Sequence, residues 1–104
     1  MRNETSTKDD STPRLASRVP WRVVAVQALP DYRLSVRFVD GMVGQVDVSK
    51  LLFGPMPGVF EVLRDPKLFA QVFVELGVVT WPGELDLAPD AMYDEIKAHG
   101  RWTP

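Results

Sequence analysis

The sequence predicts an α+β domain: an antiparallel sheet, built from a three-strand meander plus a second β-hairpin, covered by two or three short helices. Three observations carry this. Apolar residues alternate with polar ones from Tyr32 to Phe38, the period of a strand with one buried face. Asp40-Gly41 and Leu76-Gly77 sit between strand-like stretches as turn signals. The strand-like segments are grouped instead of alternating with helices, which argues against a parallel sheet.

The central element is the ribbon Tyr32–Val48, and its side chains choose its register. A two-residue Asp-Gly loop would set Leu34 opposite Asp47 and place a carboxylate on the apolar face. A three-residue loop of Val39, Asp40 and Gly41 instead sets Phe38 against Met42, Val36 against Gly44, Leu34 against Val46 and Tyr32 against Val48. One residue of slip moves every side chain to the other face, so the second register is predicted, with Gly41 left-handed. Arg33 then faces Asp47, an opposite-charge pair worth roughly 0.2–1 kcal/mol. Asp40 reads as a turn residue first and as a catalytic carboxylate only second.

Before this ribbon, Met1–Pro20 is polar and lacks an apolar period, so residues 1–20 are expected to form a disordered tail ahead of a single domain spanning 21–104. Folding of that tail on a partner is the alternative. Trp21–Leu29 is nearly continuous in apolar residues and reads as a strand that is central or buried on both faces. Pro30-Asp31 turns it back against Tyr32–Phe38. After the ribbon, Ser49 is expected to cap one helical turn, Lys50–Phe53, closed by Gly54. Val59–Arg64 is a short helix with Val59, Phe60 and Leu63 on one side. Asp65 caps the next helix, Pro66 takes its first position, and Leu68 and Phe69 face inward. A Leu76-Gly77 turn pairs Val74 with Val79 and Val72 with Trp81, leaving Phe73 and Val78 on the opposite face. Pro82-Gly83 ends that hairpin. Pro89, Asp90, Lys97, His99 and Gly100 mark the ends of a closing helix with Met92, Tyr93 and Ile96 as its apolar stripe.

Composition excludes several chemistries. The 104 residues suffice for one domain. No cysteine is present, which removes disulfides, thiolate nucleophiles and cysteine metal sites and fits a cytoplasmic location. No apolar run approaches the ~20 residues of a membrane span. The net charge is −2, and the basic residues of the first twenty positions leave the remainder more acidic, a poor footprint for nucleic acid by this domain alone. His99 is the single histidine, so a zinc site or catalytic dyad lacks its complement of ligands or partners. Glu84, Asp86, Asp90 and Asp94 form the densest acidic set, but their spacing matches no metal loop, and an exposed helix start explains them. No cofactor or metal is expected. Trp21, Phe73, Trp81 and Tyr93 read as core aromatics first and as pocket walls second.

Phe38-Val39-Asp40-Gly41, Val46-Asp47-Val48, Asp65-Pro66 with Phe69, Trp81-Pro82, Asp86-Leu87 and Pro89-Asp90 occur in that order. In this the sequence resembles the bacterial family known as domain of unknown function 2442, over roughly Val23 to Ile96. The resemblance implies a small α+β domain without an established enzymatic activity. Some relatives carry a helix-turn-helix module behind this domain; with the sequence ending at Pro104, DNA binding is not expected here. Others look like one half of a two-gene pair, which implies a toxin–antitoxin-like or transcription-regulator-associated partner. A link to molybdopterin-guanine dinucleotide biosynthesis is also implied, but no phosphate-binding loop accompanies it.

The expected function is therefore a non-enzymatic interaction or regulatory module that binds a small protein or forms a homodimer. The alternative is a small-ligand sensor whose ligand or partner loop contains Trp81, Pro82, Asp86 and Asp90. An enzyme working through Asp86 and Asp90 is the weakest reading. On the structural reading of the same loop, Trp81 plugs the core and Asp86 accepts the amides that Pro82-Gly83 leaves unpaired.

Overall fold

The Tyr32–Val48 ribbon pairs in the register its side chains require. In the computed structural model, which describes residues 19–104, Arg33 lies opposite Asp47, Leu34 opposite Val46 and Val36 opposite Gly44. Phe38 N donates to Met42 O at 2.8 Å and Gly41 N donates to Phe38 O at 2.9 Å, closing the three-residue loop. Gly41 has φ +93°, a conformation costly for a residue with a Cβ. The expected tail lies outside the described residues except for Val19 and Pro20.

The described chain runs β1 (Val23–Leu29), β2 (Arg33–Phe38), β3 (Val43–Asp47), α1 (Ser49–Phe53), a 3₁₀ helix (Gly58–Arg64), α2 (Pro66–Phe69), β4 (Phe73–Glu75), β5 (Val78–Trp81), β6 (Leu85–Asp86), α3 (Pro89–His99) and β7 (Arg101–Trp102). The fold class is α+β, as expected. The meander β1-β2-β3 is antiparallel, and β7 joins β3 in parallel to complete a four-stranded sheet. The second hairpin turns at Leu76-Gly77, pairs Val74 with Val79, and gains β6 to form a separate three-stranded sheet.

Several local expectations are corrected. β1 lies at one end of the order of strands instead of its centre. Its register shifts between Val23 and Ala25, and Val24 in that irregularity is exposed. A continuous apolar run cannot reveal such a bulge, which is why it read as buried on both faces. Ser49 does not cap α1. Its N–H and hydroxyl both donate to Asp47 Oδ1, at 3.0 and 2.6 Å, and Val48 stands at the cap position without a side-chain bond. Asp47 thus takes Ser49 and forms no ion pair with Arg33 among the described residues, although the two are cross-strand neighbours.

The Val59–Arg64 segment is a 3₁₀ helix, and this changes its inward face. At three residues per turn, Phe60 aligns with Leu63 and Val59 with Val62. Leu63 is buried and Phe60 partly so, whereas Val59 and Val62 are exposed. The α-helical grouping of Val59 with Leu63 does not hold. Asp65 caps α2 as expected, accepting Lys67 N at 2.9 Å, with Pro66 at the first helical position. Arg101-Trp102, read as a plain end, is β7.

One core joins both sheets and the helices. Leu34, Val36, Phe38 and Val46 from the first sheet and Val79 and Trp81 from the second are buried with Leu52, Leu63, Phe69, Leu87, Met92, Tyr93 and Ile96. Helix α3 closes on the first sheet over Gly44, where a Cβ would stand 2.4 Å from Ile96 Cγ2. The tight second-sheet turn docks beside the start of β1, with Val23 N donating to Gly77 O at 2.9 Å. Among the described residues no helix is long and apolar enough to cross a membrane.

Candidate functional site

The carboxylates singled out from the sequence, Glu84, Asp86, Asp90 and Asp94, all lie exposed on the surface. Trp81 is fully buried, donates from Nε1 to Phe69 O at 2.9 Å and packs beside the Phe69 ring at 5.8 Å. It fills the core and offers no surface to a ligand. Pro82 is exposed in the turn that leads into β6, where Gly83 and Glu84 both have positive φ. Asp86 is exposed and accepts no hydrogen bond through its side chain among the described residues. Its expected role as acceptor for the turn's amides is therefore not fulfilled, because the turn closes a strand pairing of Thr80 with Asp86 and Trp81 with Leu85. Asp90 is exposed at the start of α3 and accepts Ala91 N at 2.9 Å. Asp86 lines an open recess with Glu75, Leu76, Val78, Thr80 and Glu84; Asp90 is not among its walls. No group of three or more His, Asp or Glu side chains among the described residues is arranged to hold a metal ion.

Asp40 has a role that spacing could not show. Its Oδ1 accepts Met42 N at 2.9 Å inside the loop, and its Oδ2 accepts the Tyr93 hydroxyl at 2.7 Å from α3. The Tyr93 hydrogen bond, followed by the Met42 amide, holds the Asp40 carboxyl below the ordinary carboxylate range. The same bond raises the Tyr93 phenol, since losing its proton would leave two negative oxygens in contact. The Phe38 and Tyr93 rings meet edge to face at 5.1 Å. Asp40 is thus a tie between turn and helix, 53 positions apart in sequence.

An exposed apolar strip stands out on the surface around the 3₁₀ helix. Phe53 is 55% exposed, Met56 86%, Val59 69% and Val62 53%. Scattered exposed apolar residues are ordinary; four large ones within ten positions are not. Phe53 closes α1, Met56 lies between Pro55 and Pro57, and Val59 and Val62 share the outer side of the 3₁₀ helix. Of these four, Phe53 is held in place by its neighbours. Tyr32 meets the Phe53 ring edge-on at 5.2 Å, and the Arg64 guanidinium lies 5.5 Å from that ring's centre. Arg64 Nε is itself fixed on Leu52 O at 2.6 Å, and the Tyr32 hydroxyl donates to Arg64 O. An aromatic ring held in one pose while half its surface meets water is the geometry of a binding anchor. The α-helical reading of Val59–Arg64 hid this strip, because it turned Val59 inward. Three-residue spacing joins Val59 to Val62 and Phe60 to Leu63, but such spacing also suits an α-helix and does not by itself reveal the strip.

A family model described as a protein of unknown function (DUF2442) matches residues 23–98. That span includes the ribbon, the strip and nearly all of α3. No curated protein and no solved structure is matched.

Proposed function

We propose that this chain, which belongs to the DUF2442 family of proteins of unknown function, is a non-enzymatic module that binds another protein. The observation that carries the reading is the strip of Phe53, Met56, Val59 and Val62, exposed to water around a ring fixed by Tyr32 and Arg64. Burying such a strip is favourable at about 25 cal/mol per Å², and an anchor that is already ordered loses little side-chain entropy on binding. Asp90 is not among the walls of the recess that Asp86 lines, which favours a binding role over catalysis by that pair. A regulatory setting, as in a two-protein control pair, is consistent with a small module of this kind, and a cysteine-free chain suits the cytoplasm.

The test compares the tagged full chain with a Met56→Ser/Val59→Ser double variant expressed in its native host. Both side chains are exposed, so each substitution should change stability by no more than about 0.5 kcal/mol. The expected result is one partner recovered in constant ratio with the unaltered chain and lost with the variant at unchanged melting temperature. Light scattering identifies a second copy as the partner if the purified chain is a dimer and the variant a monomer. A monomer without a partner, or a partner retained by the variant, overturns the proposal.

A further inference from the structure

The outer face of the four-stranded sheet carries a polar recess of about 370 Å³, lined by Arg33, Gln45, Asp47, Lys50, Arg101 and Thr103. Small-molecule sites span roughly 300–1,000 Å³, so the size is adequate, but most are apolar and this one is charged. Its position follows from the register. Arg33 on β2 faces Asp47 on β3, and Arg101 on β7 pairs with Gln45 of the same strand. The two arginines therefore stand on strands either side of β3 and two residues out of step along it, with backbones about 12 Å apart at ~4.8 Å per strand and ~3.3 Å per residue. Arg101 flanks Gln45 and Arg33 flanks Asp47, so the two side chains border the recess along a diagonal across β3. Lys50 adds a third cation from α1.

The single acid in this recess, Asp47, is shared between Ser49 and the recess itself, since the charges of Lys50 and Arg33 also lower its carboxyl. Asp47 Oδ1 accepts both the N–H and the hydroxyl of Ser49, and the Ser49 hydroxyl bond is the main reason its carboxyl titrates below the usual range. Three cations against one carboxylate leave the recess positive in a chain whose net charge is negative. Arg33 Nε donates to Pro30 O at 3.2 Å, which anchors its stem and leaves the terminal nitrogens as donors. None of these cations joins an ion pair with another described residue.

We propose that this recess binds a small oxyanion, a phosphate or carboxylate group, received by the Arg33 and Arg101 guanidiniums with Lys50 alongside. Planar guanidinium forks match such oxygens in pairs, which a lone ammonium does not. The site is separate from the apolar strip and is tested without any protein partner.

The experiment is a titration of the isolated full chain with inorganic phosphate and, separately, with succinate, at ionic strength held constant with sodium chloride. Side-chain N–H resonances of Arg33 and Arg101 are followed by NMR. Saturable shifts at both arginines are expected, and the preferred titrant identifies the group bound. Arg101→Gln and Lys50→Gln, both at exposed positions, should each weaken binding by about tenfold, the loss of one charge-assisted contact. Arg37→Gln, on the same face but outside the recess, should leave it unchanged. Shifts that chloride alone reproduces, or that survive in both recess variants while these remain folded, overturn the proposal. If Arg101→Gln perturbs β7, Lys50→Gln carries the test by itself.

Discussion

At the residue scale, the Asp40–Tyr93 hydrogen bond makes stability depend on pH at both ends. Asp40 has a depressed carboxyl in the folded chain, so the stability it contributes is present above the ordinary Asp value of about 3.9 and is lost as pH falls through the folded value. Tyr93 is raised, so its contribution is present below the ordinary Tyr value of about 10 and is lost as pH rises through the folded one. Tyr93→Phe should therefore melt at a lower temperature than the unaltered chain at pH 7, with the difference shrinking at pH 2. An NMR titration of Asp40 should move up toward the ordinary range in the same variant. A melting difference that stays constant down to pH 2 would show that the bond is not the source. Nothing in the Asp-Gly spacing announces this tie, because the partner hydroxyl comes from the far end of the domain.

At the element scale, α3 reaches the first sheet through a missing side chain. Gly44 sits opposite Val36 on the buried face, and an added Cβ would meet Ile96 Cγ2 at 2.4 Å and Gly100 O at 3.0 Å. Gly44→Ala should destabilise by about 1–3 kcal/mol through overpacking, measured by urea unfolding. A neutral result would mean that α3 shifts freely. The ends of α3 were readable: Pro89 opens it, and Gly100, with φ +79°, closes it by donating to Ile96 O at 2.7 Å. The 3₁₀ helix was not readable as such. Its composition suits either helix type, and only its path between Pro57 and the Asp65-Pro66 restart selects the tighter winding.

At the scale of the whole molecule, Trp81 couples the two sheets. It belongs to β5, yet its indole N–H is spent on the α2 carbonyl of Phe69 and its ring lies in the shared core. Trp81→Ala should cost about 3–5 kcal/mol. In the unaltered chain, tryptophan fluorescence and far-UV circular dichroism should report one coincident denaturant transition. Two separated transitions would show that the second sheet folds on its own. The sequence by itself determined the α+β class, the three-residue loop and its register, the second hairpin and the buried stripe of α3. Each is set by neighbours on one strand, one ribbon or one helix, where a period of two or a glycine at positive φ decides the outcome locally. Only the tertiary structure decided that β1 is an edge, that the second hairpin builds its own sheet, and that Arg101 joins Arg33 across β3. Those outcomes depend on which distant surfaces compete to be buried, and that competition is resolved only when the whole core packs.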